Sequence, residues 1–328
     1  MFSLVIPTFN RADLIGETIE SALSQSLPFS EILVIDDGST DHTWQVLAGF
    51  GDRIKTIRTA NQGVQAARNT GVEAAQGEYI TLCDSDDLLE NTFLEVMSSW
   101  LRSHAEIDIA WVNFRTFSDT SIGADKFSQA PPDWFDGALR SDAANEGASR
   151  AASSSQFCWA IPELYVRTVV FQPLFPTGQT FRKSFYQSID GYNSRFNGVG
   201  GEDWEFTLRA IAAGEVALCM QPLARVRKHA GNDSANLVRQ LLGEAEILEH
   251  ALHHHGVATS QTSAMRASIA MRRLDAFDHA YATGDFAAAG KILTLLQTVS
   301  PTPKFLLKKL ITRLPSALRK PLWAATQR

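Results

Sequence analysis

Short apolar runs alternate with helix-like segments four times at the start of this 328-residue chain. The runs are residues 4–6, 32–35, 54–57 and 78–82. The runs 4–6 and 32–35 are continuous, without the alternation of apolar and polar residues that marks a half-buried strand. Continuous apolar strands separated by helices are typical of a parallel sheet that is covered on both faces. We therefore predict an α/β fold, in which ligands bind at the carboxyl ends of the strands.

Acidic clusters follow two of these runs. The second run ends in Asp36-Asp37, and the fourth ends in Asp84-Ser85-Asp86-Asp87. Like charges repel, and a carboxylate costs several kcal/mol to desolvate, so the second cluster must face water or a cation. A solvated acidic turn and a ligand crevice both meet this requirement. The cluster at 36–41 likewise fits either a binding loop or an ordinary strand-to-helix turn.

Other polar segments lie beside the predicted strand ends. Pro7-Thr8-Phe9-Asn10-Arg11 follows the first strand, with Asn10 placed to cap the next helix, and Asn61-Gln62-Gly63 opens a later helix that carries Arg68 and Asn69. Taken singly, these segments are also typical of helix entries and solvated helix faces. The sequence contains no Walker-type Gly-x-x-x-x-Gly-Lys, and no Gly-x-Gly-x-x-Gly follows the first strand, which argues against P-loop and dinucleotide sites.

Taken together, the order and spacing of these motifs resemble those of the family 2 glycosyltransferases, which have the GT-A fold. The resemblance covers about residues 1–115 and returns at Gly191-Tyr192 and at Gly200-Gly201-Glu202-Asp203-Trp204-Glu205. It implies a mostly parallel sheet flanked by helices, with a nucleotide-binding half and an acceptor half. It also implies inverting transfer of one sugar from a nucleotide-sugar, with a UDP-sugar as the first expectation, and a divalent cation as cofactor.

The resemblance implies roles for individual residues. The residues that would bind the nucleotide-sugar are Pro7, Thr8, Arg11, Asp37, Gly63, Arg68, Asn69, Asp84 and Ser85. Asp86 would contact the metal directly, Asp84 would lie in or beside the metal shell, and His229 would complete that shell or touch phosphate. A diphosphate beside these carboxylates would be repelled unless a cation lay between them, and oxygen ligands suit Mg²⁺ or Mn²⁺.

An inverting displacement at the anomeric carbon needs one carboxylate to take the proton of the acceptor hydroxyl. We expect Asp203 to be this base, with Glu202 beside it in the first turn of a helix. Gly200-Gly201 would allow a close approach of the backbone. The alternative is that these acidic residues reflect the usual preference for negative charge at a helix N-terminus. An exposed loop histidine remains the alternative for His229.

We predict three domains. Residues 1–234 would form the glycosyltransferase domain, divided into a nucleotide-sugar-binding half (1–115) and a half for the acceptor and the catalytic base (116–234). Residues 116–155 are rich in Ala, Ser and Asp and predict a variable loop or short helices over the acceptor side. Residues 235–300 would be a helical appendage, and the third part would be the segment 301–328.

Helical spacing of apolar residues organises the predicted appendage. The first helix would end at His253-His254-His255, which we do not interpret as a metal site because consecutive helical residues make a poor chelate. Residues 265–284 and 286–299 would form two further helices, with Asp278-His279 and Gly284-Asp285 at the turn.

The segment 301–328 is basic and amphipathic. It contains seven Lys and Arg residues and no acidic residue, although the whole chain has a net charge of -6. Two interpretations are open. The segment could lie on an anionic membrane surface, with its basic residues near lipid headgroups, or it could dock its leucines on the preceding domain.

Composition limits the remaining classes. The acidic balance, with a pI near 5.8, argues against nucleic acid as a partner. The three cysteines are far apart in sequence, which predicts no disulfide and a reducing cytoplasm, and no apolar run is long enough to cross a bilayer. We therefore expect a cytoplasmic protein, with peripheral attachment to the inner face of the cytoplasmic membrane as one option.

Two other functions fit the same fold. A nucleotidyltransferase would carry a glycine-rich loop with an early lysine after the first strand, and residues 7–11 contain neither. A catalytically silent sugar-nucleotide-binding protein would lack a metal or base carboxylate, yet Asp84, Asp86 and Asp203 are all present. The absence of a Gln-x-x-Arg-Trp segment favours non-processive transfer to a glycan or lipid-linked hydroxyl acceptor. The sequence leaves the sugar and the acceptor open.

Overall fold

The computed structural model describes residues 1–141, 157–229, 236–296 and 302–326. The chain forms two compact units. The first consists of residues 1–197 and 206–230, and the second of residues 198–205 and 231–328. The predicted domain boundary after residue 234 lies outside the described residues.

The first unit contains the strands. They are β1 (Phe2–Thr8), β2 (Glu31–Asp36), β3 (Lys55–Arg58), β4 (Tyr79–Leu82), β5 (Leu88–Leu89), β6 (Ile109–Ser118), β7 (Ser121–Asp125), β8 (Leu139–Arg140), β9 (Phe157–Trp159), β10 (Thr180–Arg182) and β11 (Val216–Arg227). The helices that begin before residue 206 are α1 (Ile15–Leu23), α2 (Thr43–Ala48), α3 (Val64–Ala74), α4 (Phe93–Ser103), α5 (Leu164–Val170), α6 (Lys183–Ser188) and α7 (Asp203–Ala213).

One mixed sheet runs through this unit in the order β3-β2-β1-β4-β10-β6-β11-β9-β8. The first four strands of that order are mutually parallel, which confirms the predicted arrangement. β10 is antiparallel to both of its neighbours, and β6 and β11 are again parallel to each other. Pairing of Thr8 with Asp36 brings the carboxyl ends of β1 and β2 to the same edge.

Part of the predicted variable region 116–155 is strand. β6 continues to Ser118, β7 pairs with it in antiparallel fashion, and β8 follows at Leu139–Arg140. The expectation of a loop or short helices is therefore wrong for this part, since β7 extends the sheet beside β6. Residues 142–155 of the predicted region lie outside the described residues.

Helices cover both faces of the sheet, because successive side chains of a strand point to opposite faces. Leu4 and Ile6 of β1 belong to an apolar layer that also contains Ile15 and Ile19 of α1. Val5, between them, belongs to the layer on the other face, together with residues of α3. β1, β2 and β4 are therefore buried on both faces, as predicted. The prediction is wrong for β3, the edge strand, whose residues are exposed or half-buried.

Glu31 ties the start of β2 to three neighbouring elements. Its carboxylate accepts hydrogen bonds from the Ser3 hydroxyl (2.6 Å), the backbone N–H of Gln76 (2.6 Å) and the Lys55 ammonium (2.7 Å). Burial alone raises the pKa of Glu31, but the hydrogen bonds and the charge of Lys55 outweigh it, so the pKa is lower than the ordinary value. Because the folded-state pKa is depressed, the stabilisation is present above about pH 4.5 and is lost as the pH falls through the folded-state pKa.

We expect Glu31→Gln to lower the free energy of unfolding at pH 7 by about 1–3 kcal/mol, since a hydrogen-bonded charge is lost from a buried site. The difference from the wild type should shrink as the pH falls below the ordinary carboxyl range. Urea unfolding at neutral and acidic pH measures both quantities. Glu20→Gln is the matched control, because the side chains of Glu20 and Arg53 in its ion pair are 58% and 54% exposed. A loss for Glu31→Gln that is equal at both pH values would contradict this account.

The second unit is helical. Its helices are α8 (Leu237–His254), α9 (Thr262–Ala282), α10 (Phe286–Ile292), α11 (Pro303–Arg313) and α12 (Ser316–Thr326). Side-chain caps set three of the starts: the side chains of Asn236, Asp285 and Thr302 accept backbone hydrogen bonds at the beginnings of α8, α10 and α11. Among the described helices, none combines the length and hydropathy needed to cross a bilayer.

The predicted helices of this unit are largely confirmed. α8 ends at the three histidines, and α9 and α10 are the two further helices, joined at Gly284 and Asp285. The prediction that Asp278 and His279 lie at the turn is wrong, because α9 continues to Ala282. α10 is shorter than predicted, since it ends at Ile292. Residues 297–299 at the end of the predicted helix lie outside the described residues.

Candidate active site

Hydrogen bonds join the loop that follows β1 to the loop that follows β2. Thr8 is buried at the end of β1, and its carbonyl accepts a hydrogen bond from the backbone N–H of Asp37 (2.9 Å). Asn10 has a positive φ of 51°, and its side-chain oxygen accepts a hydrogen bond from the N–H of Thr40 (2.8 Å). The prediction that Asn10 caps α1 is therefore wrong: that helix begins at Ile15, and Asn10 joins two loops instead.

Asp37 organises the entry to α3. Its carboxylate accepts hydrogen bonds from the backbone N–H groups of Gln62 (3.0 Å) and Gly63 (2.7 Å) and from the Thr59 hydroxyl (3.2 Å). Gly63 has a φ of 91°, and a Cβ at this position would lie 1.8 Å from the side chain of Asn197. Position 63 therefore requires glycine, and Asp37 is a 2% exposed carboxylate in a pocket of backbone donors.

Arg68 and Asp84 form a short ion pair. Arg68 is 2% exposed on α3, and its Nη2 lies 2.7 Å from Oδ1 of Asp84. The guanidinium also lies over the ring of Tyr192, 5.0 Å from its centroid. The alternative of a solvated helix face does not apply to Arg68, because the side chain is buried against the acidic turn.

Asn69, the next residue of α3, holds a distant turn. Its amide group donates to the carbonyl of Tyr192 and accepts from the N–H of the same residue, both at 2.9 Å, and it also accepts from the Tyr186 hydroxyl. This bonding explains why a residue of poor helix propensity occupies the middle of a helix.

Asp86 lies among three cationic or basic groups of the first unit. Its Oδ2 lies 3.0 Å from Nε2 of His229 and 3.6 Å from Nε of Arg11, and its backbone carbonyl accepts a hydrogen bond from Nε of Arg227 (2.9 Å). The structure thus brings two of the predicted metal ligands, Asp86 and His229, together. Within the described residues, no set of three His, Cys, Asp or Glu side chains is arranged to hold a metal ion by itself.

Asp87 is a buried residue of the acidic turn and is hydrogen-bonded to two other segments. It is 2% exposed, and it accepts hydrogen bonds from the Thr177 hydroxyl (2.6 Å) and the N–H of Arg227 (2.9 Å). Burial, and after it the neighbouring charges of Asp86 and Asp84, hold the pKa of Asp87 well above its usual range. Ser85 is buried in the same turn, whereas Asp86 keeps part of its side chain exposed.

The predicted catalytic pair lies in the second unit, at the start of α7. Asp203 is the first residue of that helix, and Glu202 accepts a hydrogen bond from the N–H of Gly200 (3.1 Å). Both side chains are half-buried. A Cβ on Gly243 of α8 would lie 2.2 Å from the carbonyl oxygen of Gly200, so this loop lies directly on the helix.

Trp204 anchors the same loop. It is 2% exposed, and the guanidinium of Arg272 from α9 lies 4.4 Å from the centroid of its ring. Arg272 is paired with Glu244 of α8 at 2.8 Å, and a Cβ on Gly201 would lie 2.8 Å from Glu244. The close backbone approach predicted for Gly200 and Gly201 is present, and two helices of the second unit position the residues on either side of Asp203.

Two family models match parts of the chain. A family model described as glycosyl transferase family 2 matches residues 3–150. A second model, described as the N-terminal domain of galactosyltransferase, matches residues 178–228, which run from the segment before β10 to just beyond the end of β11.

Curated relatives match this chain over part of their own length. An uncharacterized glycosyltransferase of Haemophilus influenzae is 40% identical over 99 residues, which is 29% of this chain and 40% of the relative. The cholesterol galactosyltransferase of Borreliella burgdorferi is 38% identical over 98 residues, covering 29% of this chain and 27% of the relative. The chain thus spans about two fifths or less of the length of these two relatives.

A solved structure extends the likeness to nearly the whole chain. S. aureus TarS 1–349 in complex with UDP-GlcNAc has a TM-score of 0.62 and 16% identity, and the match covers 99% of this chain and 90% of that one. At this identity the likeness shows the fold, a GT-A glycosyltransferase fold with a C-terminal helical region.

Some residues around the site were missed by the sequence analysis. Thr177 lies 90 residues from Asp87, and Arg272 lies 68 residues from Trp204, so no local pattern connects them. In the sequence, Arg227 comes several residues after the apolar run 216–220 and is therefore expected in a loop. In the structure it is the last residue of β11, which extends from Val216 to Arg227. The bulges of β11 near Pro222 interrupt its apolar pattern, which hides the second half of the strand from the sequence.

Proposed function

We propose that the protein is a metal-dependent, inverting, non-processive glycosyltransferase that moves one hexose-type sugar from a UDP-sugar to a hydroxyl acceptor. The observation that carries this proposal is the grouping of Asp37, Asp84 and Asp86 with Arg11 and Arg68 at the carboxyl edge of parallel strands. Such an edge is the ligand crevice of open α/β sheets. The match of residues 3–150 to family 2 supports the same conclusion.

The residues of the first unit suit a nucleotide diphosphate. Thr8 and Asp37 lie at the ends of β1 and β2, where Asp37 would accept a hydrogen bond from a base N–H. Both side-chain polar atoms of Gln65, buried on the first turn of α3, lack a hydrogen-bond partner among the described residues. Arg11 and Arg68 supply positive charge next to the acidic turn, and this charge would attract phosphate.

The donor set also suits a divalent cation. Neighbouring ligands of an octahedral Mg²⁺ or Mn²⁺ ion lie about 3 Å apart when each metal–ligand bond is about 2.1 Å, and Asp86 Oδ2 and His229 Nε2 are separated by 3.0 Å. Two protein ligands, completed by diphosphate oxygens and water, are a common arrangement for Mg²⁺. Asp84 would contribute from beside this pair. The bound ion would stabilise the charge that develops on the leaving nucleotide diphosphate.

We assign Asp203 as the general base that acts on the acceptor hydroxyl. In an inverting displacement, its carboxylate would take the proton of the attacking hydroxyl as the glycosidic bond to the diphosphate breaks. Glu202 and the two glycines before it would hold the loop on α8, and Arg272 would hold Trp204. We propose that the acceptor belongs to cell-envelope, extracellular polysaccharide or lipid-linked glycan synthesis, at the inner face of the cytoplasmic membrane.

The donor proposal is tested by thermal unfolding with a panel of nucleotide-sugars, with and without Mn²⁺. A ligand at about 100 times its dissociation constant stabilises the folded state by about 2.7 kcal/mol, which corresponds to a rise of about 5–10 °C in Tm. We expect this rise with one or more UDP-sugars and only when Mn²⁺ or Mg²⁺ is present. GDP- and ADP-sugars serve as base controls. Equal stabilisation after removal of divalent ions with EDTA would disprove the metal requirement, and no response to any UDP-sugar would disprove the donor.

A further inference from the structure

The last two helices present leucines to solvent. Leu306, Leu307 and Leu310 of α11 are 48%, 49% and 60% exposed, and Leu318 and Leu322 of α12 are 57% and 47% exposed. We call these five residues the leucine face. Single exposed apolar residues are ordinary, but five leucines that are each about half exposed on two consecutive helices are a concentration of exposed apolar area that favours a partner.

The leucine face is separate from the surface by which these helices dock. On α11, Phe305 and Ile311 are buried, and Phe305 belongs to the core of the second unit. On α12, the indole N–H of Trp323 donates to the carbonyl of Tyr281 (2.8 Å). Leu306 and Leu310, four residues apart, share one side of α11, so the helix has two apolar sides: one serves the domain core and the other is left for solvent.

Basic residues surround the leucine face. Lys304, Arg313 and Lys320 are exposed and Lys309 is half-buried. Two other cations of the segment are used in docking: Lys308 pairs with Asp278 at 2.8 Å, and Arg319 lies 4.4 Å from the centroid of the Phe286 ring. Because the sequence has no acidic residue between positions 301 and 328, this charge is not neutralised within the segment.

We propose that the leucine face, with Lys304, Lys309, Arg313 and Lys320, is a docking surface for an anionic lipid bilayer. Leucines would enter the boundary between headgroups and acyl chains, while the flanking basic residues would lie among the anionic headgroups. A second copy of this chain is a poorer occupant, because it would bring an equal set of positive charges to the interface. This surface would account for the location at the cytoplasmic membrane that is part of the proposed function. It does not depend on the assignment of Asp203 as the catalytic base.

Flotation with lipid vesicles tests the proposal. The full chain should bind vesicles of phosphatidylglycerol and phosphatidylcholine in equal parts, and should bind phosphatidylcholine alone much more weakly. Because each basic residue near such a surface adds to the attraction, the triple substitution Lys304→Gln, Lys309→Gln and Lys320→Gln should weaken binding about a hundredfold. Leu306→Gln with Leu310→Gln and Leu318→Gln should also weaken it. High salt should weaken wild-type binding, since it screens the charges.

Substitutions of exposed cations and of an exposed leucine outside the segment 301–328 serve as controls for the vesicle-binding test. Arg102, Arg140 and Arg266 are exposed cations outside this segment, and Leu295 is a 44% exposed leucine; changing each to Gln should leave vesicle binding unchanged. The Asp203→Asn variant should also bind vesicles like the wild type, which separates this proposal from the proposed activity. Binding that is equal on neutral vesicles, or unchanged by the tail substitutions, would overturn the proposal. So would a dimer in light scattering that only the leucine substitutions dissociate, with vesicle binding intact.

Discussion

Replacing Asp203 with Asn is expected to lower kcat by about 10²–10⁴-fold, the usual contribution of a general base. Asparagine keeps the size of the side chain and its polar character, but it does not accept a proton from the acceptor hydroxyl. Donor-dependent stabilisation against heat should be unchanged, because the base acts on the acceptor. Initial rates of sugar transfer, measured with the UDP-sugar that gives the largest thermal shift, report this effect.

The control for Asp203→Asn tests whether loss of an acidic residue from a helix N-terminus is enough to lower kcat. Asp203 lies in the first turn of α7, where any acidic residue interacts favourably with the helix dipole by about 0.3–1 kcal/mol. Glu95 lies in the first turn of α4, so Glu95→Gln removes a comparable interaction far from the proposed chemistry in sequence. We expect it to leave kcat unchanged. A rate for Asp203→Asn within about twofold of the wild type would remove Asp203 as the base.

The parts of the site that the sequence predicted are those fixed by strand ends. In a parallel sheet, the polar residues that follow each buried strand come to one edge whatever the details of the loops. Thr8, Asp37 and Asp84 could therefore be placed from apolar runs alone. Arg68 could be placed near them only through the family resemblance, because a lone arginine on a helix is usually solvated.

The remaining parts depend on contacts between distant segments. Asn69 looks like a weak helix residue until Tyr192, 123 residues away, supplies its partners. The two interpretations of the segment 301–328 could not be separated by pattern, because both need apolar and basic residues on a helix. The structure shows one side of α11 docked through Phe305 and Ile311, and the same helix still exposes Leu306 and Leu310. The segment thus docks on the helical core of the second unit through Phe305 and Ile311, and the expectation that it docks through its leucines is wrong.

Substitution of Asp84 should cost much more folding stability than substitution of Asp86. Asp84→Ala removes the carboxylate that pairs with Arg68, an arginine that is 2% exposed. Breaking one partner of a buried ion pair costs about 3–5 kcal/mol. Because Asp84 itself is 21% exposed, we expect the lower end, about 3 kcal/mol, and a fall in Tm of about 6–12 °C. Asp86→Ala removes the carboxylate that pairs with Arg11 and His229. Because the side chains of these two partners are 28% and 25% exposed, the loss in free energy of unfolding should stay below about 1 kcal/mol.

The two variants therefore distinguish the carboxylate that holds the buried Arg68 from the carboxylate that would contact the metal directly. Asp86→Ala should remain as heat-stable as the wild type while losing the Mn²⁺-dependent stabilisation by UDP-sugars. Asp84→Ala should unfold earlier with no ligand present. Adding Arg68→Met to Asp84→Ala should recover part of the lost stability, since it removes the buried cation and keeps a side chain of similar length. If Asp86→Ala retained the full Mn²⁺ response, the cation would have to be held without Asp86, and its pairing with His229 would be no more than a surface contact.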